Sequence, residues 1–449
     1  MKIQRVCHLF ELFLCIILVI MAETASIKFS FEYVLTAFIL TLIGIVAYLY
    51  TRSLSNKNFI DFEPIFIIVA TIMGFTFPLF IYSYDTRTCY AFSWGLPYSL
   101  NFINKGACLT GLGITALMAG SIKKHSSVKR TLKKRKYNVK INPLIIISLI
   151  MFFIIYINAG GLKRYQSYYL NTDFDVPQYV FYLETLIVAI AQILIISEIW
   201  NKTLDKKYNI KWLNIIVPIL VGFAFLFVGN RTFSLYLFIP IIIFITFEYL
   251  SINLIAFIFC IFIGASLMVA TMLFRSKANP ELNYNWYYYF VDLLLPNTTT
   301  YLACDLYDKS GPTFGVSMLS AVLGAIPFGQ SLFEGISGLS KNEMNSSFIF
   351  TNHLESDTVI GTNFISDSYL AFGSFGVFFI TYLFGKLLSH IRNLRKSNFM
   401  YCVSFYVISG FSVYAVRASF IFIIRFILYT FIVVYLNKLF NNSCKINKL

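Results

Sequence analysis

Twelve stretches of this chain are apolar and long enough to cross a lipid bilayer as helices: 6–22, 31–50, 62–82, 99–121, 143–158, 179–199, 212–229, 232–249, 252–273, 362–386, 399–416 and 418–437. A spanning helix needs about 20 mainly apolar residues, and only a helix or a closed barrel satisfies its backbone hydrogen bonds inside hydrocarbon. The stretch at 143–158 is short and is expected to extend on one side. Only 13% of the residues are charged, against roughly 25% in a soluble domain. A chain this apolar could not cover its surface in water. With no internal repeat and no long Pro/Gly/Ser linker, residues 1–449 read as one integral membrane domain. The expected class is an all-α polytopic membrane protein of about 12 transmembrane helices, with a large extracytoplasmic loop at 274–361.

Lys2, Arg5 and the small residues at 22–25 give the first span the look of a signal peptide. Glu11 interrupts its apolar core, so an uncleaved first helix is expected. Lys and Arg set the orientation. An inside N-terminus puts most of them in the cytoplasm: Lys2, Arg5, Arg52, Lys57, the run KKHSSVKRTLKKRK at 123–136 with Lys140, the lysines at 202–211, Lys386, Arg392, Arg395, Lys396 and the C-terminal lysines. The net charge of +15 is therefore an orientation signal at anionic headgroups, and no nucleic-acid partner is expected. The 274–361 segment has the opposite balance. Arg275, Lys277, Lys309 and Lys341 face Glu281, Asp292, Asp305, Asp308, Glu334, Glu343, Glu355 and Asp357. Its apolar stretch at 315–327 is too short to span and should lie in the interface or re-enter; 285–303 and 313–333 could instead form an extra helical hairpin.

The eight cysteines show no metal spacing, and neither they nor the four histidines form a CxxC or HExxH pattern. No metal or cofactor is expected. Ionisable groups in or above a membrane are costly and mark candidate sites. Two tight turns point outward: Gly229–Thr232, carrying Arg231, and the turn around Arg417. Arg425 lies eight residues further, about 12 Å deeper on a broad shared face. Arg275 sits where 252–273 exits. Four Arg could converge on one outer site, and the planar guanidinium fork suits diphosphate. Snorkelling to lipid headgroups is the competing reading. Acid/base candidates crowd TNHLESDTVIGTNFISDSYLAFGSFG at 351–376: His353, Glu355, Asp357 and Asp367. His titrates near neutrality without tuning. Asp367 falls at the outer end of an apolar helix, and Gly373 and Gly376 are expected to allow close helix packing. Glu184, Glu198 and Glu248 read as interfacial. Lys163 and Arg164 offer a weak second anion site.

GTNFISDSYLAFGSFG at 361–376 resembles a segment of Wzy-type O-antigen and capsule repeat-unit polymerases, through Gly361, Thr362, Asn363, Asp367, Tyr369, Leu370, Phe372, Gly373 and Gly376. Asp367 stands where that family more often has Glu. GNRT at 229–232 is similar to its small-polar-Arg turn, and the layout of helices with a late outer loop matches. The resemblance implies a metal-independent glycosyltransferase that polymerises oligosaccharide units carried on undecaprenyl diphosphate. It would act at the outer face of the bacterial inner membrane, in lipopolysaccharide or capsule synthesis. Partners implied are the lipid-linked oligosaccharide, membrane lipids and a chain-length regulator protein. Arg231, Arg417 and Arg425, with Arg275, would hold the diphosphate. His353, Asp367 or Glu355 would be the base. An O-antigen ligase shares this donor and layout. A transporter would be expected to show repeats and midplane polar groups instead.

Overall fold

A computed structural model describes residues 2–55, 60–82, 102–122, 143–163, 179–249, 298–355 (except 327 and 341), 360–419 and 422–446, with isolated positions elsewhere. The helices are α1 (Lys2–Thr24), α2 (Phe31–Ser55), α3 (Phe62–Thr76), α4 (Ile103–Ser121), α5 (Pro143–Asn158), α6 (Tyr179–Leu204), α7 (Leu213–Val228) and α8 (Arg231–Glu248). They continue with α9 (Thr298–Ser310), α10 (Leu319–Leu323), α11 (Gly329–Ser337), α12 (Ser346–His353), α13 (Phe364–Leu394), α14 (Phe399–Gly410) and α15 (Phe422–Ile446). Among the described residues there is no strand.

Among the described residues six helices are long and apolar enough to cross a membrane: those at 3–24, 31–54, 62–81, 179–204, 364–394 and 422–441. The helices at 143–158, 213–228, 231–247 and 399–410 are apolar but shorter. Thus the helix expected over 399–416 stops at Gly410, and 411–419 is a longer connection than the tight turn expected around Arg417. Most of 252–273 and the basic run at 123–140 lie outside the described residues. Between α7 and α8 the expected tight turn is present. Gly229 takes a left-handed φ of 110°, and the Asn230 side chain caps α8 by accepting from Phe233 N.

Helix α4 is the hub. Every residue on it except Lys105 is buried, against α1, α2, α9 and both halves of α13. Shielded from lipid, it tolerates Asn104, Thr110 and Thr115, which lowers its mean apolarity. Its approach to α13 is backbone to backbone. A Cβ on Gly120 would overlap the Tyr382 carbonyl, and one on Gly385 would overlap that of Leu117. Small residues permit this contact, and dispersion then holds helices that lipid does not drive together. Glu11 also faces the bundle, with Oε2 3.0 Å from the Cβ position of Gly44 on α2. Two of the acids expected at the interface, Glu184 and Glu198, are buried instead. Glu184 accepts from the Tyr156 hydroxyl at 3.1 Å, and Glu198 accepts from Asn214 at 2.6 Å and the Lys211 backbone at 2.9 Å.

At one end of the bundle, α2, α3 and α13 are tied by the buried Arg52, Asp61 and Glu63 and the partly buried Arg392. Arg52 donates to Asp61 and, at 2.8 Å, to Glu63; Arg392 donates to Glu63 and lies 3.7 Å from Asp61. Tyr48 accepts a further bond from Arg52 at 2.9 Å. Two cations matched to two anions leave no net charge to bury. Truncating one member strands its partners, so Arg52→Met should destabilise by about 3–5 kcal/mol. Arg52→Lys should recover only part of this, since one ammonium cannot fork to two carboxylates. Thermal unfolding in detergent checks both.

Candidate functional site

The site is organised by a reversal inside α13. Phe372 (φ −146°, ψ 20°) and Gly373 (φ 65°, ψ −158°) leave helical geometry, splitting the helix into a short arm, 364–371, and a long arm, 374–394. The arms fold back on each other. Phe364 packs on Phe384 with ring centroids 5.3 Å apart, although twenty residues of straight helix would separate them by about 30 Å. Ile365 and Val377 flank the same glycine of α4, Gly113. The short arm therefore re-enters the bundle and rests on Phe66 and Phe384. Gly373 occupies a backbone region that is essentially glycine-only, with the Tyr307 hydroxyl 2.7 Å from its Cβ position. Gly376 lies against Ser368 of its own chain. Both glycines serve the reversal, where packing between separate helices was expected.

The break frees carbonyls that must find donors. Leu370 O accepts from Thr313 N and Ala371 O from Phe314 N, each at 3.0 Å. The segment after α9 is thereby fastened to the hairpin. At the buried root, Asn363 caps the short arm in a capping box with Ser366. Its Nδ2 donates to Thr299 and Thr300 on α9 at 3.0 and 3.1 Å.

Asp367 is completely buried. Its Oδ1 accepts from Ser346 of α12 and from Thr362, each at 2.6 Å, and the Ser419 hydroxyl faces the same carboxylate. One side chain thus joins α12, the short arm and the connection before α15. Arg417 lies on that connection, with its carbonyl 3.0 Å from the Cβ position of Gly361.

His353 is seven residues beyond Ser346 on α12, roughly 10 Å away at 1.5 Å per residue. Its Nε2 donates to Asp305 Oδ2 at 3.0 Å, and Lys309 donates to the same oxygen at 2.8 Å. Partial burial of Asp305 works against its charge, but the bonds from Lys309 and His353 prevail and hold its carboxyl below the usual range. The ionised acid fixes the Nε2–H tautomer and leaves Nδ1 as an acceptor. The His353 side chain is 24% exposed, open enough to meet a substrate. Nearby, Tyr307 and Tyr369 pack at 4.9 Å, and Lys105 sits 5.5 Å over the Tyr369 ring and 3.9 Å from Glu23. Glu23 also accepts from Ser374, just after the reversal.

The other sequence-predicted residues are dispersed. Glu355 is exposed, with φ 49°, just beyond α12. Arg425 is engaged by α6: it donates to the Phe181 carbonyl at 3.4 Å and lies 5.3 Å from the Tyr182 ring. Arg231 opens α8. Phe233, Tyr236, Tyr414 and Phe426, each within three residues of Arg231, Arg417 or Arg425 or on the next turn from one, form one aromatic cluster. Arg275 and Asp357 lie outside the described residues. Sequence reasoning missed Asp305 as a partner of His353, because 48 residues separate them. Among the described residues no three His, Cys, Asp or Glu form a group able to hold a metal.

The family model for O-antigen polysaccharide polymerase Wzy matches residues 6–444. No curated protein and no solved structure gives a match.

Two outcomes follow from this geometry. Asp367→Ala should cost about 1–3 kcal/mol by stranding buried hydroxyls, and Ser346→Ala should add little in that background, a coupling read by a double-mutant cycle. Because the Asp305 pKa is lowered in the folded chain, its contribution is complete above the unfolded value and lost as pH falls through the folded one. The stability margin of wild type over Asp305→Asn should therefore hold at neutral pH and shrink below about pH 4.

Proposed function

The chain belongs to the O-antigen polysaccharide polymerase Wzy family, and on that premise we propose that it joins oligosaccharide repeat units carried on undecaprenyl diphosphate, at the outer face of the bacterial inner membrane. The single observation that carries the assignment of the site is the His353–Asp305 pair, a partly open imidazole oriented by a carboxylate at 3.0 Å. In this reading His353 Nδ1 takes the proton from an acceptor sugar hydroxyl. The hydroxyl oxygen attacks the anomeric carbon of the lipid-linked chain, and the bond from that carbon to the diphosphate oxygen breaks. Asp305 stabilises the imidazolium that forms. The departing lipid diphosphate carries the negative charge, and cations placed where charge develops lower the barrier. Arg417 is the first choice for that role, beside the segment that Asp367 holds, with Arg231, Arg425 and Arg275 as further contributors. No metal is needed if guanidinium groups supply the charge. Asp367 is a positioning residue in this scheme, and Glu355 is the remaining candidate for acid/base work.

The same reading takes both termini as cytoplasmic, with twelve spans and 274–361 as the outer loop. A chain-length regulator would be the protein partner. A strain lacking the native gene and complemented with variants tests the scheme. A general base contributes about 10²–10⁴-fold, so His353→Ala should abolish long glycan ladders while single repeat units are still exported and attached. Arg417→Ala should do the same. A full ladder from either variant removes that residue from the mechanism. Units trapped inside the membrane would indicate a flippase, and polymer retained on lipid a ligase.

A further inference from the structure

Helix α11 (Gly329–Ser337) has no buried residue. At 100° per residue its side chains divide cleanly. Phe328, Leu332, Phe333 and Ile336 fall on one arc, and Gln330, Ser331, Glu334 and Ser337 on the other. Leu332 is 65% exposed, Ile336 85% and the preceding Phe328 73%. An apolar stripe this open requires a cover.

Its attachment indicates which. Gln330 Nε2, on the polar arc, donates to Ser320 O at 2.7 Å and Ser320 Oγ at 2.5 Å, tethering α11 to α10. Helix α10 packs on α15, and Met318 just before it clusters with Ala371, Ile380 and Phe422. Helix α11 is therefore joined to the rim of the spanning helices at the hairpin's end of the bundle. Apolar exposure continues across that rim through Phe314, Phe372 and Phe375, with Gly315 meeting the Phe372 ring. Surface continuous with lipid-facing spans, and divided at the width of one helix, fits a helix lying in the plane of the membrane interface. It carries no Lys or Arg, so apolar burial alone would hold it there.

We propose that α11 docks on the bilayer itself, with Phe328, Leu332, Phe333 and Ile336 inserted among the acyl chains of the leaflet beside the hairpin. The docking anchors the segment between α9 and α12 at the lipid surface and does not depend on the glycosyl-transfer reading. The test uses the full chain in phosphatidylcholine nanodiscs, with its cysteines replaced and one spin label at 331, 332 or 336. Labels at 332 and 336 should be reached better by oxygen than by a water-soluble nickel chelate, and a label at 331 the reverse. Adding anionic lipid should not change this pattern. Chelate access at 332 and 336 equal to that at 331 overturns the proposal. So does shielding from both reagents, which means that a second copy or another protein covers the face. If the cysteine-free chain does not fold, the unaltered chain is irradiated with diazirine-bearing phosphatidylcholine. Adducts on residues 329–337 support the docking, and their absence while α15 is labelled contradicts it.

Discussion

A break in a helix frees backbone carbonyls that must find donors within the protein, and the reversal at Phe372–Gly373 has to meet that constraint. It does so by taking Thr313 N and Phe314 N as donors for the carbonyls of Leu370 and Ala371. The rest of the site depends on this exchange. It turns the short arm back into the bundle, brings Asp367 under Ser346 and Thr362, and pins the segment between α9 and α12 over the hairpin. Without it, 364–394 would be a single long span, and Asp367 would have no reason to meet α12.

Charge is divided between the two ends of the bundle in different ways. At one end Arg52, Asp61 and Glu63 are buried, Arg392 is partly so, and the two cations are paired with the two carboxylates, an arrangement suited to holding helices in register. At the other, Asp305, His353, Lys309, Lys105 and Glu23 are paired but partly open. Closed pairs specify structure, whereas open ones with a titratable member can meet a substrate. Between the two ends, Phe62, Phe66, Phe364 and Phe384 form an aromatic contact layer on which the short arm stands.

Much of the fold was legible because lipid imposes a simple rule on residue choice. Helices α1, α2, α3 and α6 fall where twenty-residue apolar runs place them. Helix α4 is less apolar because it is shielded from lipid, so its pattern alone understates its central place. The reversal was hidden because 364–394 keeps an unbroken apolar pattern, and Gly373 looks the same whether it packs a helix or breaks one. Asp61 and Glu63 attract no notice at a span edge until Arg52 and Arg392 close on them. The 351–376 segment was recognisable as chemically rich, but the pairing of His353 with Asp305 is a tertiary contact that no local spacing reports. The expected convergence of four Arg rested on a shared outer side, and sidedness does not say which neighbour each guanidinium meets. Arg425 meets α6.

The measurement that bears most directly on this account is the proximity of Phe364 to Phe384 in the intact protein. Cysteines placed at both positions of the full chain in lipid should be joined by a short bifunctional thiol reagent, giving a linked peptide pair by mass spectrometry. If both thiols react singly and no linked pair forms, the span is a straight helix that separates them by about 30 Å, and the re-entrant hairpin with the site built on it is wrong.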